Sequence, residues 1–157
     1  MQEIGTHQGR RVLWIPYREL LDGIMPSDNW ICLATATNAV DLDAFGKWVQ
    51  SAVEQGLLEF KGHGTQGELL HDTFDMTMVH MEIDGGHDTI EVTTTWHNAE
   101  TLRDVLWQCF FATALPDHAD YDRLCVVCTD MDDSDRSSEL TAYIHDFQDE
   151  DERHKLY

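Results

Sequence analysis

Positive charge is what this sequence has least of. Ten Lys and Arg stand against thirty Asp and Glu in 157 residues, a formal net charge of −20. Only Arg10 and Arg11 are adjacent, so nothing resembles a basic patch that would hold a phosphate backbone. Direct binding to duplex DNA or RNA is excluded on this ground, and acidic membrane surfaces are repelled. Long apolar runs are missing too. No stretch approaches the roughly 18 apolar residues of a membrane span, and the Met1 to Arg10 segment is too polar for a signal peptide. The cytoplasm is therefore the expected location. The sequence also has no H-E-x-x-H, no paired C-x-x-C and no G-x-S-x-G, which leaves the usual zinc-protease, zinc-ribbon and serine-hydrolase readings without support.

The apolar supply is ordinary. Hydrophobic residues make up 42% of the chain, with five Trp, six Phe and four Tyr, enough to build one core without metal or disulfide staples. Three of the four cysteines, Cys32, Cys125 and Cys128, lie in strand-like runs, and Cys109 lies on an apolar helix face. Buried reduced thiols are expected. Side chains three apart in a strand point to opposite faces, so Cys125 and Cys128 match C-x-x-C by spelling only.

Five runs rich in β-branched and aromatic residues read as strands: Val12 to Tyr17, Trp30 to Thr37, Leu57 to Lys61, Thr89 to Trp96 and Leu124 to Thr129. Several are apolar throughout, which fits strands covered on both faces in a parallel sheet. Helical spacing appears between the later ones. Leu42, Phe45, Val49, Ala52 and Val53 follow Asp41, an N-cap residue, and stop at Gly56. Leu70, Phe74, Met78 and Met81 form a second stripe ending at Gly85-Gly86. Leu102, Val105, Leu106, Cys109, Phe110 and Thr113 form a third between Asn98 and Pro116. Leu140, Tyr143, Ile144 and Phe147 mark a short last helix. The connection from Arg18 to Asn29 holds a single helical turn or reverses the chain. The expected fold is α/β, a three-layer sandwich with a mostly parallel sheet of about five strands flanked by three to four helices. Residues 1–147 form one domain and 148–157 an acidic tail.

In such a sheet, ligands sit outside the carboxyl ends of the strands. That edge would gather Tyr17 and Arg18, Thr35 and Asn38, Gly62 to Gly64, Trp96 to Asn98, and Asp130. A ligand crevice would use Asn38, Gly62, His63, Gly64, Trp96, His97 and Asp130. Gly62-His63-Gly64-Thr65-Gln66-Gly67 spells G-x-G-x-x-G between a strand and a helix, where backbone N–H groups can receive a phosphate. Glu68 argues against that use by placing a carboxylate at the same helix end. His71 and Asp75, four apart on one helix face, are the candidate metal ligands. No cofactor is expected beyond a loosely held divalent metal. Asp130 to Asp135 lacks the sixth-position Gly of an EF-hand, and Thr141 replaces its twelfth-position Glu.

The strongest asymmetry lies from Asp130 to Glu152, where ten carboxylates face one counter-charge, Arg136. Such a surface attracts basic proteins and stays in water. The expected function is an intracellular interaction module, of inhibitor, antitoxin or immunity type, that binds a basic protein partner. Asp132, Asp133, Asp135, Asp149 and Asp151 would supply the charge, with Tyr143 and Phe147 as anchoring aromatics if their helix is not fully docked. The alternative is a small α/β enzyme or ligand-binding domain using the strand-end crevice.

Overall fold

Where the sequence places near-continuous apolar runs, the computed structural model, which describes residues 1–86 and 88–155, places the centre of a six-stranded sheet. In chain order the elements are β1 (Gln2–His7), β2 (Arg10–Trp14), α1 (Tyr17–Leu21), β3 (Trp30–Thr35), α2 (Leu42–Glu54), β4 (Leu57–His63), α3 (Gly67–Ile83), β5 (Thr93–His97), α4 (Leu102–Phe111), β6 (Cys125–Asp130) and α5 (Ser137–Lys155). A single 3-10 turn, Tyr121–Arg123, precedes β6. The strand order is β1-β2-β6-β3-β4-β5. All neighbours pair in parallel except β1 with β2. This is the three-layer α/β sandwich the sequence pattern implies.

The chain runs outward through β3, β4 and β5, then returns to insert β6 between β2 and β3. Right-handed crossovers require that reversal to move the connecting helix to the other face. One core accordingly joins Leu20, Phe45, Trp48, Phe60, Leu70 and Phe74 beneath α1, α2 and α3. The second joins Val105, Leu106, Phe110, Leu140, Ile144 and Phe147 beneath α4 and α5. All four cysteines are buried free thiols. Burial pushes the Cys109 thiol up to about 12 and that of Cys125 to about 11, so neither is a thiolate near neutral pH.

Three features of the fold depart from the sequence reading, and one open alternative is resolved. β1 was not foreseen, because Gln2-Glu3-Ile4-Gly5-Thr6-His7 is polar and buries only Ile4 and His7. It is an edge strand, and Gly5 lies against Ile144 of α5, where a Cβ would come within 3.0 Å of that side chain. Of the two alternatives for the Arg18 to Asn29 connection, the helical turn is the one found: α1 opens it, and β2 and β3 both run parallel to β6. Thr101, not a residue nearer Asn98, caps α4 by accepting from Asp104 N at 3.1 Å. Finally, residues 148–155 are not a loose tail. They continue α5 to Lys155, held to β1 by Gln148 donating to the Thr6 carbonyl and Gln8 donating to Asp151. Residues 156 and 157 lie outside the described residues. Among the described residues no helix is long and apolar enough to cross a membrane.

Candidate functional site

The carboxyl ends of four adjacent parallel strands carry one polar row. Asp130 of β6 is level with Thr35 of β3, Thr35 with His63 of β4, and His63 with His97 of β5. Residues in register on neighbouring strands share a face, so all four point toward the α4 and α5 side. Thr35, His97 and Asp130 are buried and His63 is partly so.

Each member is tied to the next layer. His63 Nε2 lies 2.9 Å from the Glu100 carbonyl oxygen, and its Nδ1 lies 2.8 Å from Thr35 Oγ1. A carbonyl only accepts, so Nε2 carries the proton, and the neutral ring accepts at Nδ1 from the Thr35 hydroxyl. Burial lowers the His63 pKa, which favours this neutral form. His97 contacts Glu100 Oε1 through Nδ1 at 2.7 Å and Thr95 Oγ1 through Nε2 at 2.8 Å. The hydrogen bond from His97, with a second from Gln108, holds the Glu100 carboxyl below its usual range. Asp130 accepts from Arg136 Nε at 2.5 Å and from Asp132 N at 2.7 Å. Arg136 in turn reaches Glu139 at 3.2 Å, and Tyr143 donates to the same carboxylate at 2.6 Å.

Hydroxyl, imidazole and carboxylate are the ingredients of proton transfer. Here each of these groups already holds a partner from the chain itself. The backbone donors nearby are committed as well. At the β3/β6 junction, where the following helices diverge to opposite faces, Asp132 accepts from Thr37 N at 2.8 Å and from Asn38 N at 3.0 Å. At the β4/β5 junction Asn98 Oδ1 accepts from Glu68 N at 3.2 Å, capping α3.

That cap engages one of the N–H groups that the phosphate reading of Gly62 to Gly67 would use. The glycines answer to packing. A Cβ on Gly62 would lie 2.7 Å from the Gly67 carbonyl oxygen, and one on Gly67 would meet the Gly62 carbonyl oxygen at 2.6 Å and Asn98 Oδ1 at 2.8 Å. Gly64 adopts a φ of +92° and rests against the Ala36 carbonyl. The loop is folded onto itself and against Ala36, with the first N–H of α3, that of Gly67, donating to the Gly64 carbonyl at 2.9 Å and the second, that of Glu68, to Asn98.

The remaining sequence candidates are scattered. His71 contacts Asp72 at 3.1 Å and Asp75 at 3.3 Å, and its ring is tilted against that of Trp96 with centroids 4.6 Å apart. Asp75 also accepts from Thr94. Among the described residues no group of three or more His, Cys, Asp or Glu is placed to hold a metal ion. On the acidic side, Asp132 braces the β3–α2 loop, and Asp135 accepts from Ser137 N at 2.9 Å at the start of α5. Hydrogen bonding to Ser137 keeps the Asp135 carboxyl below its usual range. Asp133, at a φ of 63°, and Asp149 are exposed. Asp151 is half-buried beside Gln8 and His7. Phe147 corrects the anchoring expectation: it is 1% exposed and belongs to the second core.

Sequence reasoning passed over Glu100 and Arg136 as partners of the row. It also missed Trp107 and Phe111, which are 42% and 44% exposed with ring centroids 4.8 Å apart. They lie beside the acidic end of α5. Phe111 packs at 5.6 Å on the His7 ring, whose Nε2 is 3.7 Å from Asp151. Arg103, one turn before Trp107, bonds Glu150 at 2.8 Å. The signal was present, since Asp104, Trp107 and Phe111 fall at i, i+3 and i+7 opposite the buried stripe of the same helix.

The protein is thus an α/β sandwich whose strand-end groups are engaged internally and whose surface combines carboxylates with exposed aromatics. Residues 16–147 match the DUF7684 family, a domain of unknown function, and the chain belongs to that family. No curated protein and no solved structure matches it.

His7 gives the fold an acid-sensitive point. It is buried against Phe110, Phe111 and Phe147, and burial lowers its pKa from 6.5 despite the opposing pull of Asp151 and Glu150. Below pH 6.5 the unfolded chain takes up a proton that the folded one resists. The stability tied to neutral His7 is therefore present above that pH and lost as pH falls through the lowered folded value. Urea unfolding at pH 7.5 and 5.5 should show the His7→Leu variant gaining on the wild type at the lower pH. Because both chains share the relief of carboxylate repulsion in acid, only the difference between them matters. A difference that does not change with pH would rule the effect out.

Proposed function

We propose that this protein is an interaction module that captures a basic protein partner, in the manner of an inhibitor or immunity protein, through the face formed by α4 and α5. The observation that supports it most is the exposed Trp107–Phe111 pair set beside the carboxylates of α5. Asp104 of α4 and Asp146, Asp149 and Glu152 of α5 are exposed. Carboxylates at such a rim raise the rate of encounter and select against acidic competitors, while a half-exposed aromatic supplies the contact energy once buried. The internal commitment of the strand-end groups favours recognition by a surface over recognition in a crevice. The side-chain ties from α5 to β1 and to Arg103 favour a fixed array of charge over a fluctuating one.

A partner retained from host extract and released between low and moderate salt provides the test. Reversing Asp146, Asp149 and Glu152 to Lys should slow its association and flatten the salt dependence. Trp107→Ala should speed dissociation and weaken affinity by about 30-fold, the effect of losing roughly 2 kcal/mol at a hot spot. If both variants bind with unchanged rates and salt dependence while remaining folded by circular dichroism, this face is not the binding surface.

A further inference from the structure

On the opposite side of the sheet, α3 exposes an apolar stripe that nothing among the described residues covers. Leu69, Met76, Val79 and Ile83 are between 44% and 74% exposed, four of the eleven large hydrophobics that are exposed among the described residues. With Asp72 they follow a spacing of three and four residues, 69, 72, 76, 79 and 83, so they lie along one line of the helix. The buried residues of α3, Leu70, Phe74 and Met81, occupy the other side. At about 1.5 Å per residue the stripe is about 21 Å long, roughly four helical turns. It borders a groove of about 440 Å³ between α2 and α3, lined by Leu42, Asp43 and Gly46 on one side and Asp72, Met76 and His80 on the other.

The charge around this stripe selects among occupants. The segment Gly67–Ile83 contains Glu68, Asp72, Asp75 and Glu82 and no Lys or Arg. Asp43 adds a carboxylate across the groove, where Lys47 is the one Lys or Arg among the lining residues. A second copy of this chain would set these carboxylates against their own images, and an acidic membrane would be repelled. A partner helix with Lys and Arg flanking an aliphatic face satisfies both the apolar line and its acidic borders. We infer that the α2–α3 groove and the exposed face of α3 form a docking site for a basic amphipathic helix of about four turns. This site does not rest on the α4–α5 face and lies on the other side of the sheet from it.

The test is selection of a displayed library of helical peptides of about sixteen residues on the full-length protein. The expected winners carry aliphatic residues at i, i+3 or i+4, and i+7, flanked by Lys and Arg. A winning peptide should lose at least tenfold in affinity when its sequence is scrambled at constant composition. It should lose as much against the Met76→Gln/Ile83→Gln protein, whose exposed positions leave the fold intact, and should bind the Asp146, Asp149 and Glu152 reversal variant as well as the wild type. Winners without the apolar periodicity, winners without basic flanks, or no winners at all would overturn the inference. So would equal binding of scrambled peptides, which marks attraction to net charge alone. A dimer in sedimentation analysis that dissociates on the same two substitutions would assign the face to a second copy instead.

Discussion

Replacing Lys61 with Ala should lower the unfolding free energy by about 3–5 kcal/mol, the range for removing one member of a buried ion pair. Lys61 and Glu59 alternate along β4 on the α4 side, each 1% exposed, with Nζ and Oε1 2.8 Å apart. Without the ammonium, the Glu59 carboxylate keeps, among the described residues, the Ala114 N–H, which donates to it at 3.2 Å. The end of α4 loses a donor as well, because Lys61 Nζ lies 3.4 Å from the Ala112 carbonyl. Urea denaturation at neutral pH measures the loss. The double variant Glu59→Leu/Lys61→Met should recover most of it, since a buried pair exchanged for apolar side chains of similar volume is often neutral or stabilising. A cost below about 1 kcal/mol for Lys61→Ala would place the pair in the class of solvated surface bridges and contradict its burial.

The second large effect is expected at Phe147, and it is an effect on the fold. Phe147 sits under α5 against Phe110 at 6.2 Å and His7 at 5.8 Å, with the Arg103 guanidinium 4.9 Å from its ring centre. Phe147→Ala should cost about 3–5 kcal/mol. For a chain of this size that corresponds to a fall in Tm of roughly 6–20 °C. Because α5 covers β1, amide exchange should rise in Gln2–His7 before it rises in the central strands. A variant that keeps its Tm but loses a basic partner would return Phe147 to the role of an exposed anchor. The two outcomes separate cleanly, because Trp107→Ala is expected to do the reverse.

The reason Phe147 was misplaced also explains what else could and could not be read from the chain. Periodicity locates an apolar stripe on α5, but not which of its members is covered, since that depends on β1, a polar edge strand with little signature of its own. Conversely, Asp41 with its two accepted N–H groups at 3.1 Å, and the four apolar stripes, were legible because caps and helical spacing are local properties. The G-x-G-x-x-G spelling was legible but ambiguous. The same three glycines serve a phosphate or a tight turn, and the packing of this loop depends on Asn98 and Ala36, which are remote in sequence. Glu59 and Lys61 were readable as one face of a strand by the period of two. Their burial was not, because it comes from the end of α4.

By itself, then, the sequence determined a parallel α/β sheet, its main helices and a surface dominated by carboxylates, since these follow from local propensity, periodicity and composition. Only the tertiary structure decided that β6 inserts between β2 and β3, because pairing partners of apolar strands are not encoded in any one of them. That insertion brings Asp130, Thr35, His63 and His97 into one internally bonded row. It also seats the acidic helix against β1 and α4.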